Sequence, residues 1–241
     1  MEHMHTHGTA CSRHMGMEEL DQREYCGGGG KEETKWIKHY SSSHRILLVG
    51  EGNFSFAASL ANAFGSASNI FATSLDSKDD VMRKHPSARG NLERLESLEC
   101  TIIHEVDAHT MSLHPSLSRL PFDRIVFNFP HAGFILPEHN QIQIRLHQKL
   151  VKGFFGSAGK MLAEGGEVHV THKTTYPFSE WKIEELAGEC GLSLVERVEF
   201  CIWDYPDYKN KRGASPRSDG AFPVGQCSTF KFSKSMSALI T

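Results

Sequence analysis

Four apolar residues, Ile46-Leu47-Leu48-Val49, run directly into Gly50-Glu51-Gly52-Asn53 and then into Phe54-Ser55-Phe56-Ala57-Ala58-Ser59-Leu60-Ala61, whose apolar spacing is helical. A strand that passes through a glycine turn into a helix commits the chain to a sheet whose strands are joined by helical crossovers. The pattern repeats downstream. Strand-length runs at Ile70 to Leu75, Thr101 to Val106 and Arg124 to Phe129 alternate with a polar, helix-rich stretch reaching Leu98 and with a helix through Ile142, Leu146, Leu150, Phe154 and Met161. Glu167 to His172 reads as another strand, Ser179 is placed to cap a helix through Ile183, Leu186 and Ala187, and Ser193 to Trp203 alternates as a longer strand. The last strand, around Thr229-Phe230-Lys231-Phe232, follows with no helix between. The expected fold is therefore α/β and doubly wound: a mostly parallel sheet covered on both faces, with an antiparallel pair at one edge.

Upstream of Arg45 the texture differs. Residues 1–44 show no sustained apolar period, contain Gly27-Gly28-Gly29-Gly30 and close on Ser41-Ser42-Ser43, the composition of a flexible tail with at most a short helix around Lys31 to His39. One domain is expected over residues 45–241. Six of the 15 histidines (His3, His5, His7, His14, His39, His44) fall in this tail. Together with Cys11 the first four offer donors suited to copper or zinc, but a polar tail needs no metal and none is assigned.

Charge narrows the function. The 26 Lys+Arg against 29 Asp+Glu give a net charge of −3, which excludes a protein that lives on broad attraction to phosphates, so any nucleic-acid contact is local. No apolar run reaches the roughly 18 residues of a membrane span, and the opening Met-Glu-His-Met-His is no secretory signal, so a soluble intracellular chain is expected. The 6 cysteines are scattered, without a C-x-x-C pair, as free thiols are in a reducing compartment.

In a doubly wound sheet the ligand sits beyond the carboxyl ends of the strands, where strand order reverses. The candidate cofactor residues follow from that rule. Gly50, Glu51, Gly52, Asn53, Phe54 and Ser55 form the first turn and open a helix whose free N–H groups suit an anion. The third glycine of a dinucleotide fingerprint is absent, with Phe54 two positions and Phe56 four positions after Gly52. Asp76 ends the second strand about 20 residues on, the spacing of a ribose-binding acid, and Asp107 ends the third, where it suits an adenine amine. At the end of the fourth strand, Asn128-Phe129-Pro130-His131 projects an amide and fixed carbonyls toward the same edge, and resembles the Asn-Pro-Pro-aromatic signature of methyltransferases acting on nitrogen, with Phe129 and His131 as departures. Asn128 and Pro130 are candidates to orient an acceptor, and His131 to accept its proton. Phe129 and Phe134 are candidate stacking surfaces. Tyr205, Tyr208, Lys209, Lys211 and Arg212, in the long loop before the last strand, interleave aromatic and basic groups as single-stranded RNA contacts do. His169 and His172 read as core and rim residues.

Leu48 to Phe56, Ala72-Thr73-Ser74-Leu75-Asp76-Ser77, Phe122 to Gly133 and Asn210-Lys211-Arg212-Gly213 together resemble the large-subunit rRNA uridine-N3 methyltransferase-like family, in particular its short plant members, over about residues 45 to 233. The resemblance implies a Rossmann-like methyltransferase sheet of about seven strands, S-adenosylmethionine over the Gly50-Glu51-Gly52 turn and held also by Asn128, and a uracil N3 in RNA, expected to be rRNA, as acceptor. It further implies a nuclear or nucleolar setting, with the cytoplasm as alternative; a monomer is expected. Methylation of another RNA or a small nitrogenous metabolite, and a catalytically silent interaction module, are the alternatives the near-neutral charge leaves open.

Overall fold

The computed structural model describes residues 33–213 and 217–235; the first 32 residues, most of the expected tail, lie outside this description. Strand β3 (Ile46–Val49) is buried along its whole length because both faces of the sheet are covered. Leu47 and Val49 face a core built on α4 (Gln141–Ala158) and α5 (Ile183–Gly188), while Ile46 and Leu48 face one built on α1 (Ser55–Phe64) and α3 (Ala88–Ser97). The period-2 alternation of side chains is what splits four consecutive apolar residues between two cores.

Seven strands form the main sheet: β5 (Thr101–Ile103), β4 (Ile70–Thr73), β3, β6 (Phe122–Asn128), β7 (Leu162–Lys173), β9 (Cys227–Lys234) and β8 (Leu192–Glu199), in that spatial order. The pairs from β5 to β7 are parallel, and β9 runs antiparallel to both β7 and β8. The expected mostly parallel sheet with an antiparallel pair toward one edge is thus present. From β3 the chain moves outward to β4 and β5 and then returns to β6 on the other side, so strand order reverses between β3 and β6, and a crevice opens there.

Four local expectations differ. The strand expected over Ser193 to Trp203 ends at Glu199, and Ile202–Asp204 form a 3₁₀ turn. The polar stretch to Leu98 is two helices, α2 (Lys78–Lys84) and α3, because Pro86 forces His85 out of helical geometry. Ser179 does not cap α5: it lies inside a 3₁₀ turn over Phe178–Trp181, and Lys182, in the left-handed region at φ 52°, separates that turn from the helix. The Lys31 to His39 segment, where described, is no helix; Trp36–Ile37 (β1) pairs antiparallel with Tyr40–Ser41 (β2). Tyr40 is 1% exposed among Phe56, His169 and Tyr205, so the folded chain begins upstream of Arg45.

Candidate active site

The turn from β3 into α1 is built around two left-handed residues. Gly50 has φ +69°, and a Cβ there would stand 2.5 Å from the Phe127 ring, so glycine alone lets the turn lie against β6. Phe54 also takes the conformation glycine favours (φ 59°, ψ 19°). Its ring is fully buried and meets His104 edge-on at 5.6 Å, and burying a phenyl group offsets a left-handed backbone that costs about 1–2 kcal/mol. The first N–H groups of α1, expected to be free for an anion, are taken from within the turn. Asn53 Oδ1 accepts from Ser55 N–H at 3.2 Å and from the Ser55 hydroxyl at 2.8 Å, and Glu51 Oε2 accepts from Ala57 N–H at 3.3 Å. Burial pushes the Glu51 carboxyl up to about 7 despite that bond.

A cleft of about 450 Å³ opens over this turn, in the usual size range of ligand sites. Gly50, Glu51, Gly52, Asn53, Asp76, Asp107 and Asn128 all line it; Phe54 and Ser55 do not. Phe54 belongs to the core, and the Ser55 hydroxyl lies behind the turn, accepting from Lys209 N–H at 3.0 Å. Asp76 holds Lys84 Nζ at 2.5 Å, and Asp107 Oδ1 accepts from His109 N–H at 2.8 Å. At the end of β6, Asn128 Oδ1 is buried without a hydrogen-bond partner, a costly state for an amide oxygen unless a ligand completes it.

Beyond Asn128 the chain turns through Phe129 (φ 49°), whose ring meets Phe200 at 5.6 Å and Phe222 at 5.3 Å, then through buried Pro130 to His131. His131 Nδ1 accepts from Gly133 N–H at 3.1 Å, and His147 Nδ1, on α4, accepts from Ala132 N–H at 3.1 Å. His131 Nε2 lies 2.7 Å from Glu138 Oε1, and His147 Nε2 lies 3.2 Å from Glu138 Oε2 and 3.0 Å from Gln143 Nε2. Against the burial that would raise it, these two bonds hold the Glu138 carboxyl down at about 2. Both ring nitrogens of His131 are engaged within the loop, Nδ1 by Gly133 N–H and Nε2 by Glu138, and the ring helps to hold the loop in place. The donor atoms of His131, Glu138 and His147 all lie within 4.8 Å of one another.

The long loop after β8 divides its expected RNA-contacting residues. Tyr205 is 3% exposed and stacks on Phe200 at 5.6 Å, so it is core and unavailable to a base. Tyr208 is half-buried against Phe56 and lines the cleft. Lys211 pairs with Asp219 at 2.8 Å and is nearly covered, while Lys209 and Arg212 are exposed at the rim. Phe134 is partly exposed, over the His131 ring at 4.0 Å. A second cavity of about 260 Å³ shares Phe129, His131, Lys211, Arg212 and Phe222 with the first. It adds Pro130, Phe134, Lys173, Phe178 and Trp181. Sequence reasoning missed Lys173, although it directly follows the strand expected at Glu167 to His172, where the strand-end rule points. Glu138 and His147 carried no signal, since α4 packing alone unites them with His131.

Two cavities thus meet at the strand-end Asn128-Phe129-Pro130 step of this sheet. Residues 47–212 match the model of the family described as rRNA (uridine-N3-)-methyltransferase BTM5-like. The chain belongs to this family. It is 55% identical over 204 residues to an uncharacterized protein of Arabidopsis thaliana, covering 83% of this chain and 98% of that one. It is 54% identical over 218 residues to heavy metal-associated isoprenylated plant protein 41 of the same organism, covering 90% of this chain but only 42% of that longer one. The 25S rRNA (uridine(2634)-N(3))-methyltransferase of Saccharomyces cerevisiae is 25% identical over 229 residues, with 73% of this chain and 68% of that one aligned. The fold and family are those of a methyltransferase. Among the described residues no helix is long and apolar enough to cross a membrane.

Proposed function

We propose that this chain transfers a methyl group from S-adenosylmethionine to N3 of a uridine in RNA, with rRNA as the expected substrate and the nucleus or nucleolus as the setting. The observation that carries the reading is the orphaned amide oxygen of Asn128, which lines the cleft over the glycine turn and directly precedes Phe129, a residue shared by that cleft and the aromatic cavity. The residues fit the cofactor. Gly50 leaves room for a close backbone approach, and Asp76 and Asp107 stand at successive strand ends, each with one carboxylate oxygen lacking a protein partner among the described residues, as ribose hydroxyls and an adenine amine require. When bound, S-adenosylmethionine supplies the methyl group on a sulfonium, an electrophile that needs no protein nucleophile. The chain's own task is then alignment. Asn128 accepts a hydrogen bond from the acceptor, Phe129 and Phe222, packed edge to face at 5.3 Å, offer an apolar wall to a planar ring, and Glu138 with its two histidines fixes the loop that follows. Exposed Lys209 and Arg212 at the rim suit local phosphate contact. The yeast relative's action on a uridine N3 in rRNA supports the acceptor.

The test is methyl transfer from labelled S-adenosylmethionine into total RNA by the full chain, followed by nucleoside analysis. Label in 3-methyluridine is the expected result. Label in another nucleoside, or only in small nitrogenous metabolites offered in its place, contradicts it.

A further inference from the structure

The aromatic cavity next to Asn128 contains one cation that the reading above does not use. Lys173 is the last residue of β7, two positions beyond Thr171, which pairs with Asn128 of β6. It therefore stands just past the strand end that presents the orphaned amide. Its Nζ lies 4.9 Å from the centre of the Phe178 ring and 5.2 Å from that of Phe222, and among the described residues no carboxylate pairs with it. Glu138 lines the same cavity, but both its oxygens are occupied by His131 and His147. Asp219 is occupied by Lys211. The other titratable groups around Lys173 are Arg212, which repels it, Cys227 opposite it on β9, and His172, whose Nε2 is 3.0 Å from the Phe178 carbonyl. Burial lowers the Lys173 pKa from its ordinary value. Glu138 attracts Lys173 across the cavity, but no carboxylate among the described residues touches it, so an ammonium held between aromatic rings is open to contact with an anionic ligand.

We propose that Lys173 is the residue that selects and activates the acceptor base, by stabilising the negative charge that a uracil-type imide acquires when its N3 proton leaves. The inference rests on the function proposed above and deepens it. An imide N–H lies between two carbonyls, so the anion's charge spreads onto both oxygens, where one ammonium in a low-dielectric cavity stabilises it. The N3 proton passes to water. The N3 electron pair then forms the new N–C bond as the methyl group's bond to sulfur breaks, with that bond's electrons staying on sulfur. The methylated base leaves neutral. Cytosine N3 carries no proton, and its methylation creates a cation that Lys173 repels, so the same side chain that favours uracil disfavours cytosine.

The test uses the full chain with S-adenosylmethionine and transcripts of one template carrying either uridine or 5-fluorouridine, whose N3–H is more acidic. Lys173→Met keeps the stem and removes the charge, and Lys173→Arg keeps the charge. Thermal melting and S-adenosylhomocysteine titration of each variant separate loss of fold or of cofactor binding from loss of chemistry. Lys173→Met is expected to bind S-adenosylhomocysteine as wild type does, to make 3-methyluridine about 100-fold more slowly at neutral pH, and to recover much of that loss with 5-fluorouridine or at higher pH. Lys173→Arg is expected to lose far less. If wild type makes 3-methyluridine but Lys173→Met makes it equally fast, or loses the same factor on both transcripts, the role of Lys173 is overturned and the proposed function stands. If wild type makes no 3-methyluridine, both fall.

Discussion

Gly50 and Phe54 occupy the same backbone region for different reasons, and substitution separates them. Adding a methyl group at Gly50 brings both a left-handed penalty and a collision with Phe127, so Gly50→Ala is expected to lose about 1–3 kcal/mol of stability in urea unfolding and at least about tenfold in S-adenosylmethionine affinity. A neutral Gly50→Ala would show that the turn is not held against β6 as described. Glu51 makes a prediction about pH. Its folded pKa of about 7 lies above the ordinary carboxyl value of 4.5, so the folded state holds the proton more tightly and this group's contribution to stability falls as pH rises from 4.5 through about 7. The proposed cationic cofactor, bound beside it, would favour the ionised form. Affinity for S-adenosylmethionine is therefore expected to strengthen across pH 7 in wild type and to change much less in Glu51→Gln, as calorimetric titration over pH 6 to about 8 would show. Parallel pH profiles in the two proteins would remove Glu51 from the cofactor's surroundings.

Among the elements, the loop between β8 and β9 depends on the glycine turn that it borders. Its Lys209 N–H donates to Ser55 Oγ at 3.0 Å, Asn210 Nδ2 donates to the Phe222 carbonyl at 2.6 Å, and Ser218 Oγ donates to the Lys84 carbonyl at 3.1 Å. Ser55→Ala is expected to cost about 1–3 kcal/mol, since it leaves Lys209 N–H and Asn53 Oδ1 short of a partner, and to raise hydrogen exchange at Lys209 and Asn210. Unchanged exchange there would mean the hydroxyl does not anchor the loop. This coupling was invisible in the sequence because Ser55 and Lys209 are 154 positions apart. The strands were legible for the opposite reason: in a sheet buried on both faces, Ile46-Leu47-Leu48-Val49 must be continuously apolar, and each run announces itself. Strand ends were legible too, which is why Asp76, Asp107 and Asn128 do line one cleft. The hairpin at Trp36 to Ser41 was not, because its strands are two residues long and Tyr40 is fixed by contacts with distant Phe56 and His169. Tyr205 misled for a related reason: an aromatic among lysines reads alike whether its ring meets a base or Phe200.

Across the whole molecule, several histidines are folded away neutral. Burial lowers His39 to about 3 and His169 and His172 to about 4, all from 6.5. Because their folded values are depressed, their contribution to stability is complete above about 6.5 and is lost as pH falls through 4. The carboxylate of Glu167, held at about 2 chiefly by its bond to His169, adds a loss in the same direction at still lower pH. The melting temperature is expected to drop by several degrees between pH 6.5 and 4, and a flat profile would contradict the buried neutral state. This acid sensitivity belongs to the scaffold, whereas the proposed chemistry centres on the Asn128-Phe129-Pro130 step where the two cavities meet. The measurement that tests the account most directly compares wild type with Asn128→Ala for both S-adenosylhomocysteine binding and 3-methyluridine yield in RNA. Binding within a few fold of wild type with yield reduced about 100-fold is predicted; undiminished 3-methyluridine from Asn128→Ala would contradict it.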